Sequence, residues 1–141
     1  MLPVFERGTP AFGRLITGIR LLVIAEVAQA GIDLMHTMVF ARDADEPYVA
    51  SLFEAVETNG GQVCPVRLTA PLHVLESRID AADRVARNKL VTVDGLRDMN
   101  ATRELWKEVP GRASLLIDTT DQTPAKAARL IAKHYRLATH V

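Results

Sequence analysis

The stretch QVCPVRLTAPLHVLESRIDAADRVARNK, residues 62–89, decides the fold that is predicted for this chain. It opens as a short apolar strand, Val63 to Leu68, and turns at Ala70-Pro71 into a helix whose apolar side chains recur at helical spacing. This helix places Glu76 on its solvent face and leads into a series of basic residues: Arg78, Arg84, Arg87 and Lys89. The rest of the chain repeats the same strand-then-helix unit.

Length and composition set the outer limits of the interpretation. A chain of 141 residues with 48% apolar residues predicts a single domain over residues 1–141. Its 17 basic and 17 acidic residues balance, so neither a general nucleic-acid binder nor an acidic-membrane binder is expected. The single cysteine, Cys64, excludes an internal disulfide and a cysteine-based zinc site. The longest apolar run, Leu21 to Ala25, is too short to span a bilayer, so we expect a cytoplasmic protein.

Local signals mark where several helices begin and end. Thr9 can cap a helix that starts at Pro10, runs to about Ala30 and stops at Gly31. The pair Thr123-Pro124 repeats this opening before the last helix. The sequence Asn59-Gly60-Gly61 ends a middle helix, for which Asp45 is the predicted cap before Glu46-Pro47.

Two further runs predict strands. Leu34 to Ala41 is apolar at nearly every position, which is typical of a strand buried on both faces of a parallel sheet. Ala113 to Asp118 predicts another strand. Between them, residues 84–112 form a polar, glycine-containing excursion with a short helix expected around Gly95 to Glu104.

Strands that alternate with helices predict an α/β fold with a mainly parallel sheet. Ligands of such sheets bind at the carboxyl ends of the strands. The sequence therefore points to three loops, at Arg42 to Asp45, Thr69 to Pro71 and Thr119 to Thr123.

The segments VRLTAPLHVLESRIDAADRVARNKL and LLIDTTDQTPAKAARLI resemble the C-terminal half of small P-loop kinases such as shikimate kinase and gluconate kinase. The segment LMHTMVFARDADEPYVASLFEAVETNGGQV is similar to their middle region. This resemblance implies a three-layer P-loop kinase-like fold, with residues 84–112 as a lid. It implies transfer of the ATP γ-phosphoryl group to the hydroxyl of a small-molecule acceptor, with Mg²⁺ accompanying ATP.

The resemblance also implies roles for individual residues. Arg84 and Arg87 would be the catalytic residues that stabilise the transferring phosphoryl group, because the fork of arginine suits phosphate oxygens. The implied nucleotide-binding residues are Arg78, Lys89, Asp118, Thr119, Thr120 and Asp121. No metal-ligating residue is implied. The alternatives stay open: a solvated basic helix end for the cations, an ion pair for Arg78, and ordinary turn chemistry for residues 118–121.

One departure from the family concerns its phosphate loop, because the sequence G-x-x-x-x-G-K-[ST] does not occur in this chain. By the resemblance, Met1 to Glu6 would be the second strand of the family, and the first strand with its phosphate loop is missing. That strand is the central one, so its neighbours would have open edges unless another chain, a rearranged N-terminus or a dimer contact fills the gap. The sequence could also be a piece of a longer protein.

Three hypotheses follow for the function. The first is a shikimate-kinase-like phosphotransferase, impaired without its phosphate loop. The second is a non-catalytic kinase-like domain that binds a ligand or a partner, including a second copy through exposed sheet edges. The third is an unrelated flavodoxin-like α/β binding domain.

Overall fold

The computed structural model describes residues 8–79 and 92–138, which contain five helices and one two-stranded sheet. The chain is therefore a mixed α/β protein, as predicted. In chain order the elements are α1 (Pro10–Gln29), α2 (Arg42–Thr58), β1 (Val66–Thr69), α3 (Leu72–Glu76), α4 (Val93–Thr102), β2 (Leu115–Asp118) and α5 (Pro124–Tyr135).

The described residues divide into two compact units. Residues 8–40 and 44–63 form the first unit, which holds α1 and most of α2. Residues 41–43, 64–79 and 92–138 form the second unit, which holds the sheet with α3, α4 and α5.

In the first unit, α1 begins and ends where the sequence predicts. The Thr9 hydroxyl accepts a hydrogen bond from the amide of Phe12 at 3.3 Å, and Pro10 is the first helical residue. After the helix, Gly31 adopts a φ of +65°, a conformation in which a β-carbon would be strained. Gly60, at φ +78°, ends α2 in the same way.

The buried face of α1 does not follow from its apolar residues, because they occur on more than one side of the helix. Ile24 is buried, with 5% of its surface exposed. Four other apolar residues are between 43% and 63% exposed: Leu15, Ile19, Leu22 and Val23. In α2, Val49 and Leu52, three residues apart on one face of the helix, are buried.

The predicted start of α2 is wrong. The helix begins at Arg42, so Asp45 lies inside it instead of capping it, and Pro47 is an internal residue. The amide of Arg42 donates to the carbonyl of Glu104 at 3.4 Å, which satisfies one N–H group that a helix start leaves unpaired. Because Glu104 is remote in sequence, no local signal indicated this earlier start.

The strand predicted at Leu34 to Ala41 is also wrong. These residues form no regular element before α2 begins, and Met35 and Val39 are 87% and 66% exposed. A strand needs a neighbouring strand to take its backbone hydrogen bonds. In the described part of the chain only β1 and β2 are strands, and they pair with each other.

In the second unit, β1 and β2 pair in parallel with Val66 opposite Leu115 and Thr69 opposite Asp118. Both strands were predicted, although β1 begins and ends slightly later than its sequence pattern. The buried apolar residues of this unit are Ala41, Ala70, Ile79, Ile117 and Ala127.

The helix after β1 is shorter than predicted. It ends at Glu76, and Arg78 lies in the following turn. The Ser77 hydroxyl donates to the carbonyl of Val74 at 2.8 Å, and the amide of Arg78 donates to Leu75 instead of Val74. A serine side chain that competes for a helix carbonyl in this way tightens and ends the helix.

The last two helices agree with their predictions. The helix expected around residues 95–104 is α4, which is capped by the Thr92 hydroxyl. For α5, the Thr123 hydroxyl accepts from the amide of Lys126 at 3.3 Å, and Pro124 is the first residue. None of the helices in residues 8–79 and 92–138 is long and apolar enough to cross a membrane.

Candidate functional site

The carboxyl ends of β1 and β2 lie side by side, because the two strands are parallel and Thr69 pairs with Asp118. The loops that follow them, at 69–71 and 119–123, therefore meet at one edge of the sheet. Two of the three loops selected from the sequence are brought together here. The third, at Arg42 to Asp45, lies within α2.

Thr119 connects the two loops. Its amide donates to the carbonyl of Thr69 at 2.7 Å, and its hydroxyl donates to the same oxygen at 2.9 Å. The strand pairing thus continues one residue beyond β2. This double contact holds the start of the 119–123 loop against the end of β1.

Asp118 organises the next turn of the same loop. Its Oδ1 accepts the amide of Thr120 at 2.8 Å and the Thr120 hydroxyl at 2.6 Å. The hydroxyl and then the amide of Thr120 hold the pKa of Asp118 below its ordinary value. An aspartate that bonds to the amide two residues ahead is typical of a tight turn.

Arg78 reaches this loop from the turn after α3. Its Nη1 donates to the Thr119 hydroxyl at 3.2 Å, and its Nη2 donates to the carbonyls of Thr119 and Thr120 at 2.9 and 3.0 Å. The structure therefore brings together four of the residues predicted to bind nucleotide: Arg78, Asp118, Thr119 and Thr120. Asp121 follows as an exposed residue of the loop.

The remaining predicted site residues lie in the segment 80–91, outside the described residues: Arg84, Arg87 and Lys89. Residues 84–91 of the expected lid fall in the same segment. The Met1 to Glu6 strand is outside the described residues as well.

Most hydrogen-bond donors among the described residues of this site are engaged by the protein itself. Arg78 donates three hydrogen bonds to the loop itself, and the amides of Thr119, Thr120 and Gln122 donate within the site. Phosphate binding requires backbone N–H groups and cations that point at the ligand. In the described ranges, no group of three His, Cys, Asp or Glu is arranged to hold a metal ion.

A groove that sequence reasoning missed runs between β2 and α5, with a volume of about 570 Å³. Its walls combine strand, loop and helix residues: Leu115, Leu116, Ile117, Asp118, Gln122, Leu130, Lys133 and His134. Leu116 and Leu130 are 54% and 40% exposed. Helical spacing was the available signal, since Lys133 and His134 follow Leu130 by three and four residues.

The direction of α5 fixes which end of this groove is which. The Tyr135 hydroxyl, at the end of α5, donates to the carbonyl of Pro65, which directly precedes β1. The helix therefore runs back along the sheet, and Lys133 and His134 lie toward the amino ends of the strands. Asp118 lies at the carboxyl end of β2.

A salt bridge supports the second unit near α3. Arg97 Nε of α4 lies 2.6 Å from Glu76 Oε1, so Glu76 is paired and not simply solvated as predicted. The hydrogen bond from Arg97 is the main cause that lowers the pKa of Glu76. The two residues are 21 positions apart, so sequence spacing gave no sign of the pair.

Comparison of this chain with protein-family models, with curated proteins and with solved structures gave no match in any of the three.

Proposed function

We propose that this chain is a kinase-like α/β domain that binds a partner through its sheet and does not transfer phosphoryl groups. One observation carries the proposal: in the described part of the chain, β1 and β2 pair only with each other. The outer edge of each strand then presents unpaired N–H and C=O groups, which are a template for another strand. Leu68 and Leu116 on these strands are 58% and 54% exposed.

The proposal includes a three-layer fold, which the resemblance to small P-loop kinases implies. Three features support it: a parallel strand pair, a helix that follows β1, and a loop after β2 that leads into a capped helix. In those kinases the strand beside the phosphate loop is central. Among the described residues of this chain, the two-stranded sheet has open edges.

The phosphotransferase hypothesis now involves fewer phosphate-binding residues than the sequence predicted. ATP with Mg²⁺, and a small-molecule hydroxyl acceptor, remain the ligands that the resemblance implies. We assign any phosphate contact to Arg84, Arg87 and Lys89, because Arg78 is engaged by Thr119 and Thr120. Without the G-x-x-x-x-G-K-[ST] loop, the amides and the lysine that normally surround the phosphates are absent from the sequence.

Calorimetric titration of Mg²⁺-ATP into the purified chain tests the catalytic part of the proposal, together with an assay of ADP release over a set of small hydroxyl compounds. We expect no ADP above the protein-free blank. Any heat of binding should be weak and should disappear in the variant Arg84→Ala with Arg87→Ala. Circular dichroism of both samples serves as the folding control. Sustained transfer to any acceptor would contradict the proposal.

Sedimentation velocity tests whether the chain binds a partner through its sheet. Open strand edges should give an assembly whose sedimentation coefficient rises with concentration, or a complex with an added partner.

A further inference from the structure

Among the described residues, a defined set of backbone groups lies on the outer edge of β2, the edge that does not face β1. The amides of Leu115 and Thr119 donate to β1, at Pro65 and Thr69, over 2.9 and 2.7 Å. Successive residues of a strand direct their backbone groups to alternate sides. The N–H and C=O groups of Leu116 and Asp118 therefore point away from β1, toward an edge that no strand in residues 8–79 or 92–138 occupies.

The groove beside this edge has opposite charges at its two ends. Lys133 supplies the positive charge at the amino end of β2, where the contact between Tyr135 and Pro65 places the end of α5. Asp118 lies at the carboxyl end and keeps its negative charge, since hydrogen bonds from Thr120 lower its pKa. If β2 of a second copy paired antiparallel with this edge, Asp118 of each copy would lie near the cationic end of the other copy's groove. A parallel arrangement would place like charges together.

We infer that the occupant of this edge is β2 of a second copy of the chain, paired antiparallel about a two-fold axis beside Leu116. The inference deepens the proposed function and rests on it, because it names the partner of the open edge. Each Leu116 amide donates to the Leu116 carbonyl of the other copy, and the two-stranded sheets join into one of four strands. Both α5 helices then lie on the same face, because a two-fold axis that pairs strands antiparallel is perpendicular to the sheet. Such a contact is isologous and closes at two copies.

Sedimentation velocity of the full chain over a range of concentrations tests the pairing. We expect a dimer whose dissociation constant rises at least about tenfold with Leu116→Lys, because like charges directly opposite each other destabilise a strand pair. The matched control is Leu68→Lys, which alters a similarly exposed leucine on β1 and should leave the dimer intact. A chain that stays monomeric, or a dimer that Leu116→Lys does not weaken, would overturn the inference.

Charge reversal tests the orientation of the two copies. Lys133→Glu and Asp118→Lys should each weaken the dimer, and the two changes in one chain should restore it. Thermal melts identify any variant that loses its fold. Failure of the double variant to regain the affinity lost by two folded single variants would contradict the antiparallel arrangement.

Cross-linking tests the register independently of stability. With Cys64→Ser removing the native thiol, Leu116→Cys should form an intermolecular disulfide under mild oxidation, because hydrogen-bonded antiparallel partners have Cα atoms about 5.5 Å apart. Leu68→Cys in the same background is the control and should not. Absence of the Leu116 cross-link in a dimeric sample would overturn the register. ADP release from the same preparation separates the two proposals: transfer contradicts the proposed function, whereas a non-transferring monomer contradicts only the pairing.

Discussion

Arg78 is hydrogen-bonded twice to Thr119, through the threonine hydroxyl at 3.2 Å and its carbonyl at 2.9 Å. The pair is 41 residues apart in sequence, and it joins the turn after α3 to the loop after β2. Arginine's planar fork makes several bonds to a fixed arrangement of acceptors. The contact therefore makes Arg78 a brace of the loop.

Replacing Arg78 should loosen that loop. We expect Arg78→Ala to lower the free energy of unfolding by about 1 kcal/mol, a typical net value for lost hydrogen bonds at an exposed site. Hydrogen exchange at the amides of residues 120–122 should accelerate. Arg129→Ala, at an exposed arginine of α5, is the control and should change neither measurement. Unchanged exchange in the Arg78 variant would contradict the bracing role.

Removing the Thr119 hydroxyl should separate the two loops. Thr119→Val keeps the shape of the side chain but loses the hydrogen bond to Thr69 and an acceptor for Arg78. The free energy of unfolding, measured in urea, should therefore fall by about 1 kcal/mol. Thr102→Val is the control, because Thr102 bonds only to the carbonyl of Asp98 within its own helix. Such back-bonding contributes little to helix stability. Equal losses for the two variants would argue against a special position for Thr119.

The salt bridge between Glu76 and Arg97 should make stability depend on pH. The pKa of Glu76 is lowered in the folded chain from its ordinary value of 4.5. Its contribution is therefore fully present above that value and is lost as the pH falls through the lower, folded pKa. The urea midpoint of the wild type should exceed that of Glu76→Gln at pH 7, and the difference should shrink toward pH 3. A difference that is independent of pH would contradict this.

Two glycines should respond in opposite directions to the same substitution. Gly60 has a φ of +78°, so Gly60→Ala places a β-carbon in a strained conformation and should destabilise the chain by about 1 kcal/mol. Gly18 lies within α1, where an added β-carbon meets nothing within 4 Å, and Gly18→Ala should stabilise the chain by up to about 1 kcal/mol. Thermal melts of the two variants check both signs. A shared direction would contradict the backbone argument.

Sequence patterns located the candidate site better than they described it. Apolar runs predicted strand ends at Leu68 and Asp118, and the observed strands end at Thr69 and Asp118. The rule for parallel sheets placed the loops after them together. The hydrogen bonds that hold the loop after β2 were not predicted. Arg78 donates them to Thr119 and Thr120. These bonds depend on the turn at Ser77, which ends α3 before Arg78.

The sequence by itself determined the elements whose boundaries are local. Caps at Thr9 and Thr123, and stops at Gly31 and Gly60, depend on hydrogen bonds and dihedral angles within a few residues, so short patterns reveal them. Tertiary structure decided the features that need a distant partner. The run from Leu34 to Ala41 is apolar enough for a strand, but it finds no strand to pair with among the described residues. The start of α2 depends on the carbonyl of Glu104. Spacing along the chain cannot show where such partners will lie, because the partners come together only when the chain packs.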